Sequence, residues 1–296
     1  MNDLVLKNIK MQYDPWSRGR GFDLDSPSLG VTLQLVGNCG WVARLVCRAF
    51  ADASRIVTES SIDSVERLAL VRIVNKWREP SNLCNFAARA GHLDLLQWAA
   101  RCYGYPWDDQ TCCYAASGGH LEVLQWARLN GCPWDERTCY LAAQGGHLEV
   151  LKWARRNGCP WDDWTCSCAA YGGHLEVLQW ARLNGCPWTE RTCAYAAQGG
   201  HLEVLQWARL NGCPWNGETC SCAALKGHLE VLQWARLHGC PWDERTCAFT
   251  ALKGHLEVLQ WARLNGCPWD EWTCYWAAQG GHLEVLQWAR LNGCPE

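Results

Sequence analysis

Apolar and polar positions alternate with helical spacing through most of the chain. In one stretch Leu148, Leu151 and Ala154 share a face, Val150 and Trp153 widen it, and Glu149, Lys152, Arg155 and Arg156 occupy the remainder. This pattern predicts an amphipathic helix over 147–156 with a broad apolar face. Glu149 lies near its positive end and Arg155 and Arg156 near its negative end, as the helix dipole favours. Asn157-Gly158 predicts a left-handed stop and Pro160 blocks continuation. Upstream, Thr138-Cys139-Tyr140-Leu141-Ala142-Ala143 predicts a shorter helix, with Asp135 and Thr138 as candidate caps. Gly145-Gly146 supplies the turn between the two helices.

This helix-turn-helix recurs. Gly-His-Leu-(Glu/Asp)-(Val/Leu)-Leu-(Gln/Lys)-Trp-Ala occurs eight times, with histidines at His92, His120, His147, His174, His201, His228, His255 and His282. The first step is 28 residues, with an extra residue around 101–105, and each later step is 27. A fixed period of this size signals stacked supersecondary units. One pair of short helices cannot bury its own apolar face, whereas neighbouring pairs bury each other's. At ~8–10 Å between packed helices, eight units span roughly 70–80 Å.

The run from Thr138 through His147-Leu148-Glu149-Val150-Leu151 to Asn157-Gly158-Cys159 resembles the ankyrin repeat. That family carries Thr-Pro-Leu-His-x-Ala-Ala, then Gly-His, two apolar residues and an (Asn/Ala)-Gly-Ala stop. The resemblance covers residues 83–296 and implies an all-α fold: a right-handed α-solenoid of eight helix-turn-helix units over 80–296. Ankyrin units run to ~33 residues, so each unit here is shorter by six. Five of the missing residues fall between the stop glycine and the next threonine, where ankyrin proteins carry a β-hairpin finger. Gly158 to Thr165 has room only for a turn bearing Pro160-Trp161. The resemblance therefore implies the solenoid with truncated hairpins, without a finger-mediated binding mode. Cys139 and Leu141 replace the usual proline and histidine.

Residues 1–27 read as an irregular arm. Arg18-Gly19-Arg20-Gly21 is too brief for the RNA-binding role of arginine-glycine segments and fits a solvated tail. Residues 28–79 read as a small helical segment, with Leu29, Leu33 and Val36 on one face and Trp41, Leu45 and Ala49 on another. Leu45-Val46-Cys47-Arg48-Ala49-Phe50 is similar to the third-helix portion of an F-box. That likeness implies Leu45, Val46 and Phe50 as contacts for a ubiquitin-ligase adaptor, and a substrate-receptor function. The Leu-Pro opening of an F-box is absent; Ser28-Leu29-Gly30 stands near its place. The alternative is a cap on the solenoid, which Ile62, Val65, Leu68, Ala69 and Ile73 suit. At the other end, residues 282–294 repeat the internal unit with no polar capping helix after them. The expectations there are an exposed face, self-assembly through that face, or a chain that is a fragment.

Composition narrows the function. Hydrophobic residues make up 49% and charged residues 19%, enough to fill a core and against wholesale disorder. A net charge of −3 offers no broad attraction to nucleic acid or an anionic membrane. There is no apolar run of ~20 residues and no apolar signal-peptide core near the start. The expectation is a cytoplasmic protein, or a nuclear one, that is not secreted. The 21 cysteines are odd in number and lie in a long chain, which points to reduced, buried, small apolar residues.

The repeated His-Leu-Glu, as in His147-Leu148-Glu149, invites comparison with zinc deaminases, which pair His-x-Glu with a later Pro-Cys-x-x-Cys. Here Cys159 and Cys166 are separated by six residues and the order is wrong. A structural zinc on Cys139, His147 and Cys159 would need four converging ligands. A feature present in every unit is better explained by folding than by a catalytic site built once. A metal hydrolase or deaminase is thus the weakest alternative, and no catalytic, metal or cofactor residue is assigned. The 21 tryptophans fall mainly into two columns, one in the second helix and one after proline. They read as stacking residues that replace the hairpin. A nucleic-acid platform would need a basic groove, yet residues 80–296 carry 16 basic and 21 acidic side chains.

Function should be sought where the units disagree. Variation gathers before the threonine and along the first helix and its end. These positions hold Tyr114, Leu141, Trp164, Tyr171, Arg191, Tyr195, Lys226, Phe249, Lys253, Trp272 and Trp276. Aromatic and arginine side chains are typical interface anchors. They form the candidate partner-binding set for a non-enzymatic scaffold on the concave face of the array. Its partner is an unidentified protein, with no nucleic acid, membrane or small-molecule substrate.

Overall fold

The structure, a computed structural model, describes residues 80–104 and 107–295. The chain divides into two units, Met1–Lys76 and Trp77–Glu296, and the described residues belong to the second. Leu45, Val46, Phe50 and the arm lie outside the described residues.

Eight helix pairs follow one another: α1 (Pro80–Ala90) with α2 (Leu93–Tyr103), α3 (Asp109–Ser117) with α4 (Leu121–Leu129), α5 (Glu136–Gln144) with α6 (Leu148–Arg156), and α7 (Asp163–Tyr171) with α8 (Leu175–Leu183). Then come α9 (Glu190–Gly199) with α10 (Leu202–Leu210), α11 (Gly217–Leu225) with α12 (Leu229–Leu237), α13 (Glu244–Lys253) with α14 (Leu256–Leu264), and α15 (Glu271–Gln279) with α16 (Leu283–Leu291). There is no strand among the described residues. Each first helix packs on its own second helix and on the first helices of the neighbouring units. The core is a column of Cys, Ala, Val and Leu, including fully buried Leu124, Leu151, Leu178, Leu205, Leu232 and Leu259.

The helix ends follow from local chemistry. Asp135 caps α5, its carboxylate accepting the Arg137 backbone N–H at 3.0 Å. Thr138 is not a cap: α5 begins two residues before it, and its side chain is fully buried with the hydroxyl 3.7 Å from Cys113 Sγ of the preceding unit. Asn157 ends α6 and donates from Nδ2 to the Trp153 carbonyl at 2.8 Å, while Gly158 takes the left-handed φ of 82°. The longer first step appears as α2, which has 11 residues where the other second helices have 9.

Histidine joins each unit to the one before. The Nε2–H of His120, His147, His174, His201, His228 and His282 donates to a backbone carbonyl at the end of the preceding first helix, at 2.9–3.2 Å. Glycine makes room for the ring. A β-carbon on Gly119 would lie 2.5 Å from Nδ1 of His147, and one on Gly145 would lie 2.5 Å from its Nε2. The double glycine therefore serves both the turn and a slot for the imidazole.

The slot carries a pH dependence. Burial holds His174 and His255 below the ordinary histidine value, and neighbouring histidines add to this. Those neighbours are His147 and His201 for His174, and His228 and His282, with Lys253, for His255. A folded-state value below the unfolded one gives stability that is full above pH ~6.5 and is lost as pH falls through the folded value. The thermal midpoint should fall between pH 7 and pH 5. In His174→Gln, which keeps a side-chain donor, that fall should be shallower; an identical slope would refute the assignment.

Tryptophan and arginine close the other edge. Trp134, Trp161, Trp188, Trp215, Trp242 and Trp269, each following proline, meet the second-helix tryptophan of their own unit edge-on at 5.8–6.0 Å. An arginine from the preceding second helix lies over each ring at 4.0–4.1 Å, as Arg155 does over Trp161. The same guanidinium donates to the carbonyl of its own stop cysteine, as Arg155 does to Cys159. This Arg–Trp–Trp ladder occupies the place of the hairpin. It stabilises through ring burial and cation–π attraction instead of strand pairing.

Candidate functional site

The positions at which the units differ gather on one side of the first-helix layer, some exposed and some buried. Counting from the buried threonine of each unit, most are the residues at −1, +2, +3 and +6, which recur on one helical face, while Lys226 and Lys253 stand at +7. Successive first helices are in contact, so side chains from adjacent units meet there.

They meet most fully between α7 and α9. The Trp164 and Tyr195 rings lie 5.9 Å apart, tilted by 36°, and Tyr171 stands edge-on to Tyr195 at 6.2 Å. The Arg191 guanidinium lies 5.2 Å above Trp164. Beside them Asp163 accepts a hydrogen bond from the Thr189 hydroxyl at 3.2 Å, tying the two helix starts together. Burial pushes the Tyr195 hydroxyl above its ordinary value, so this phenol stays protonated and can donate. Burial also raises the Asp162 carboxyl, against the opposing Trp164 N–H. Trp164 and Tyr171 are half-buried and Arg191 is exposed, leaving one rim of the cluster to solvent. Four residues that are distant in sequence thus form one patch.

The other candidates distribute unevenly. Tyr114 pairs with Arg89, whose guanidinium lies 5.8 Å from its ring. Trp272 is 43% exposed and stacks on Trp276 at 6.3 Å, with Tyr275 edge-on to both. Lys226 and Lys253 project at the ends of α11 and α13 and are exposed. Leu141, Phe249 and Trp276 are buried, at 9%, 5% and 5% exposure, so their side chains offer little surface to a partner. Tyr140 and Tyr275, at the +2 position, line this side without having been singled out. The signal was present, because that column also varies: Cys113, Tyr140, Ser167, Ala194, Ser221, Ala248 and Tyr275.

Thiols and imidazoles have structural roles. The stop cysteines, Cys132 to Cys294, donate from Sγ to the backbone carbonyl of their own unit's N-cap at 3.3–3.6 Å. Burial pushes the Cys168 and Cys222 thiols up to about 12. At neutral pH they hold almost no thiolate, the nucleophilic and metal-binding form.

Eight like helix pairs, stitched by histidine and presenting a variable first-helix face, define a repeat protein of the solenoid class. The family model described as ankyrin repeats (many copies) matches residues 112–155, inside that array. Those residues match ankyrin repeats, and the units of the array that contains them are 27 residues long. Among solved structures, the ankyrin repeat domain of human ASB11 is similar, with 16% identity and a TM-score of 0.43 over 53% of this chain and 84% of that one. No curated protein matches the sequence. No helix among the described residues is long and apolar enough to cross a membrane.

Proposed function

We propose that the protein is a non-enzymatic scaffold that holds a protein partner against the exposed, concave side of its first-helix layer. The cluster of Trp164, Tyr171, Arg191 and Tyr195 is the anchor of that site. The observation that carries this reading is convergence. Variable positions from two adjacent units join as three aromatic rings and an arginine with a solvent-facing rim. Such side chains dominate protein interfaces because they bury much area at little conformational cost.

The test is affinity capture with the full chain against Trp164→Ala/Tyr195→Ala and, separately, Arg191→Glu. Each hot-spot truncation costs about 2 kcal/mol, so retention of a captured partner should fall at least about 30-fold. Circular dichroism melts verify that each variant is folded. Unchanged capture by a folded double variant would overturn the reading, and Arg191→Glu, at an exposed position, keeps the test open if the double variant unfolds.

A further inference from the structure

The second helices carry a feature that comparison among units cannot detect, because it hardly varies. Leu129, Leu183, Leu210, Leu237, Leu264 and Leu291 each end a second helix, and each is between 82% and 87% exposed. A leucine is not required there by the fold. Arg156 occupies the same place at the end of α6, and that helix end is unchanged: the Asn157 backbone N–H donates to the Trp153 carbonyl at 3.1 Å, as the Asn184 backbone N–H does to Trp180. The following loops add exposed prolines to the same edge, Pro187, Pro214, Pro241 and Pro268 among them.

The column is unbroken over five units, from Leu183 to Leu291. One turn before each of these leucines stands a neutral glutamine, such as Gln206 or Gln233. The α6 unit departs at both positions at once, with Lys152 for the glutamine and Arg156 for the leucine. The apolar run is therefore bounded on that side by two cations.

We propose that this column joins two copies of the chain side by side, in an antiparallel pair about a two-fold axis at Leu237. That register sets Leu183 against Leu291 and Leu210 against Leu264, with Leu237 meeting its own copy. A two-fold interface is self-complementary in this way, and a column of identical residues at equal spacing satisfies it without further design. Pairing confined to the run from Leu183 to Leu291 keeps Arg156 and Lys152 out of the contact. A parallel pairing would face Arg156 with Arg156, and an antiparallel pairing centred on an earlier unit would press it against leucine. Five leucines exposed to 82–87%, with the prolines beside them, offer when fully covered an area on the order of the ~800 Å² per partner of a stable interface. The interface lies on the second-helix edge and is independent of the first-helix site.

Sedimentation velocity of the full chain from 1 to 100 μM tests this. The expected result is a monomer–dimer equilibrium. Leu237→Asp, which places two carboxylates at the axis, should weaken it by at least about 100-fold. Leu129→Asp, outside the run, should leave it unchanged. Leu237→Lys serves as a second charged variant, and circular dichroism verifies folding. A chain that stays monomeric to 100 μM overturns the proposal. So does a dimer that persists at full strength in Leu210→Asp/Leu237→Asp/Leu264→Asp. Leucine-dependent flotation of a monomeric chain with phosphatidylcholine vesicles would also overturn it, in favour of a lipid surface.

Discussion

Gly173→Ala should destabilise the array by about 3–5 kcal/mol, whereas Gly185→Ala should cost only about 1–2 kcal/mol. Both glycines have left-handed backbones, with φ of 76° and 82°, so both replacements carry the strain of an L-residue in that region. Their surroundings differ. A β-carbon on Gly173 would stand 2.5 Å from Nδ1 of His201, while one on Gly185 would meet nothing within 4 Å. The His201 ring cannot retreat freely, because its Nε2–H is committed to the Tyr171 carbonyl at 3.0 Å. Expelling it would also leave that carbonyl short of a partner. Urea unfolding at pH 7.5 measures the difference. Equal losses at the two glycines would show that the imidazole slot contributes nothing. In the Gly173→Ala background, His201→Ala should restore part of the loss, because the clash disappears with the ring.

The second large effect is expected at the tryptophan ladder. Trp188→Ala should cost about 3–4 kcal/mol, from the lost ring burial and its edge-on contact with Trp207 at 6.0 Å. The Arg182 guanidinium 4.0 Å above Trp188 couples α8 to the following unit. A double-mutant cycle between Arg182→Ala and Trp188→Ala should return a coupling of about 0.5–2 kcal/mol. A coupling near zero would reduce the arginine to its capping bond with the Cys186 carbonyl. Because each unit leans on its neighbours, loss at one rung should broaden the unfolding transition as well as shift it.

The candidate site was legible only in part. Differences among units singled out Trp164, Tyr171, Arg191 and Tyr195, because positions free of stacking constraints are free to vary. The same criterion also selected Leu141, Phe249 and Trp276, which are buried. Variation shows that a position tolerates change; it does not distinguish solvent from a gap between units that accepts several side chains. The criterion failed in the opposite direction for the leucine column, where an exposed position is leucine in six units and arginine, Arg101 and Arg156, in the other two. Exposure there depends on where each helix ends relative to its neighbours, which no single unit encodes.

Local pattern determined much by itself. The helix pair, the Asp135 cap and the Asn-Gly stop follow from interactions within one unit and can be read from Asp135 to Trp161, and the period of 27 is read from the recurrence of that unit. Only the tertiary structure decided what the recurring polar residues do between units. Thr138 faces the preceding unit instead of capping its own helix, and His147 reaches back 30 residues to the Ser117 carbonyl. Arg128 lies over Trp134 of the unit that follows. The physical reason is that helix periodicity and caps depend on neighbours a few residues away. The hydrogen bond, the ring slot and the cation–π contact depend on the stacking of one unit on the next.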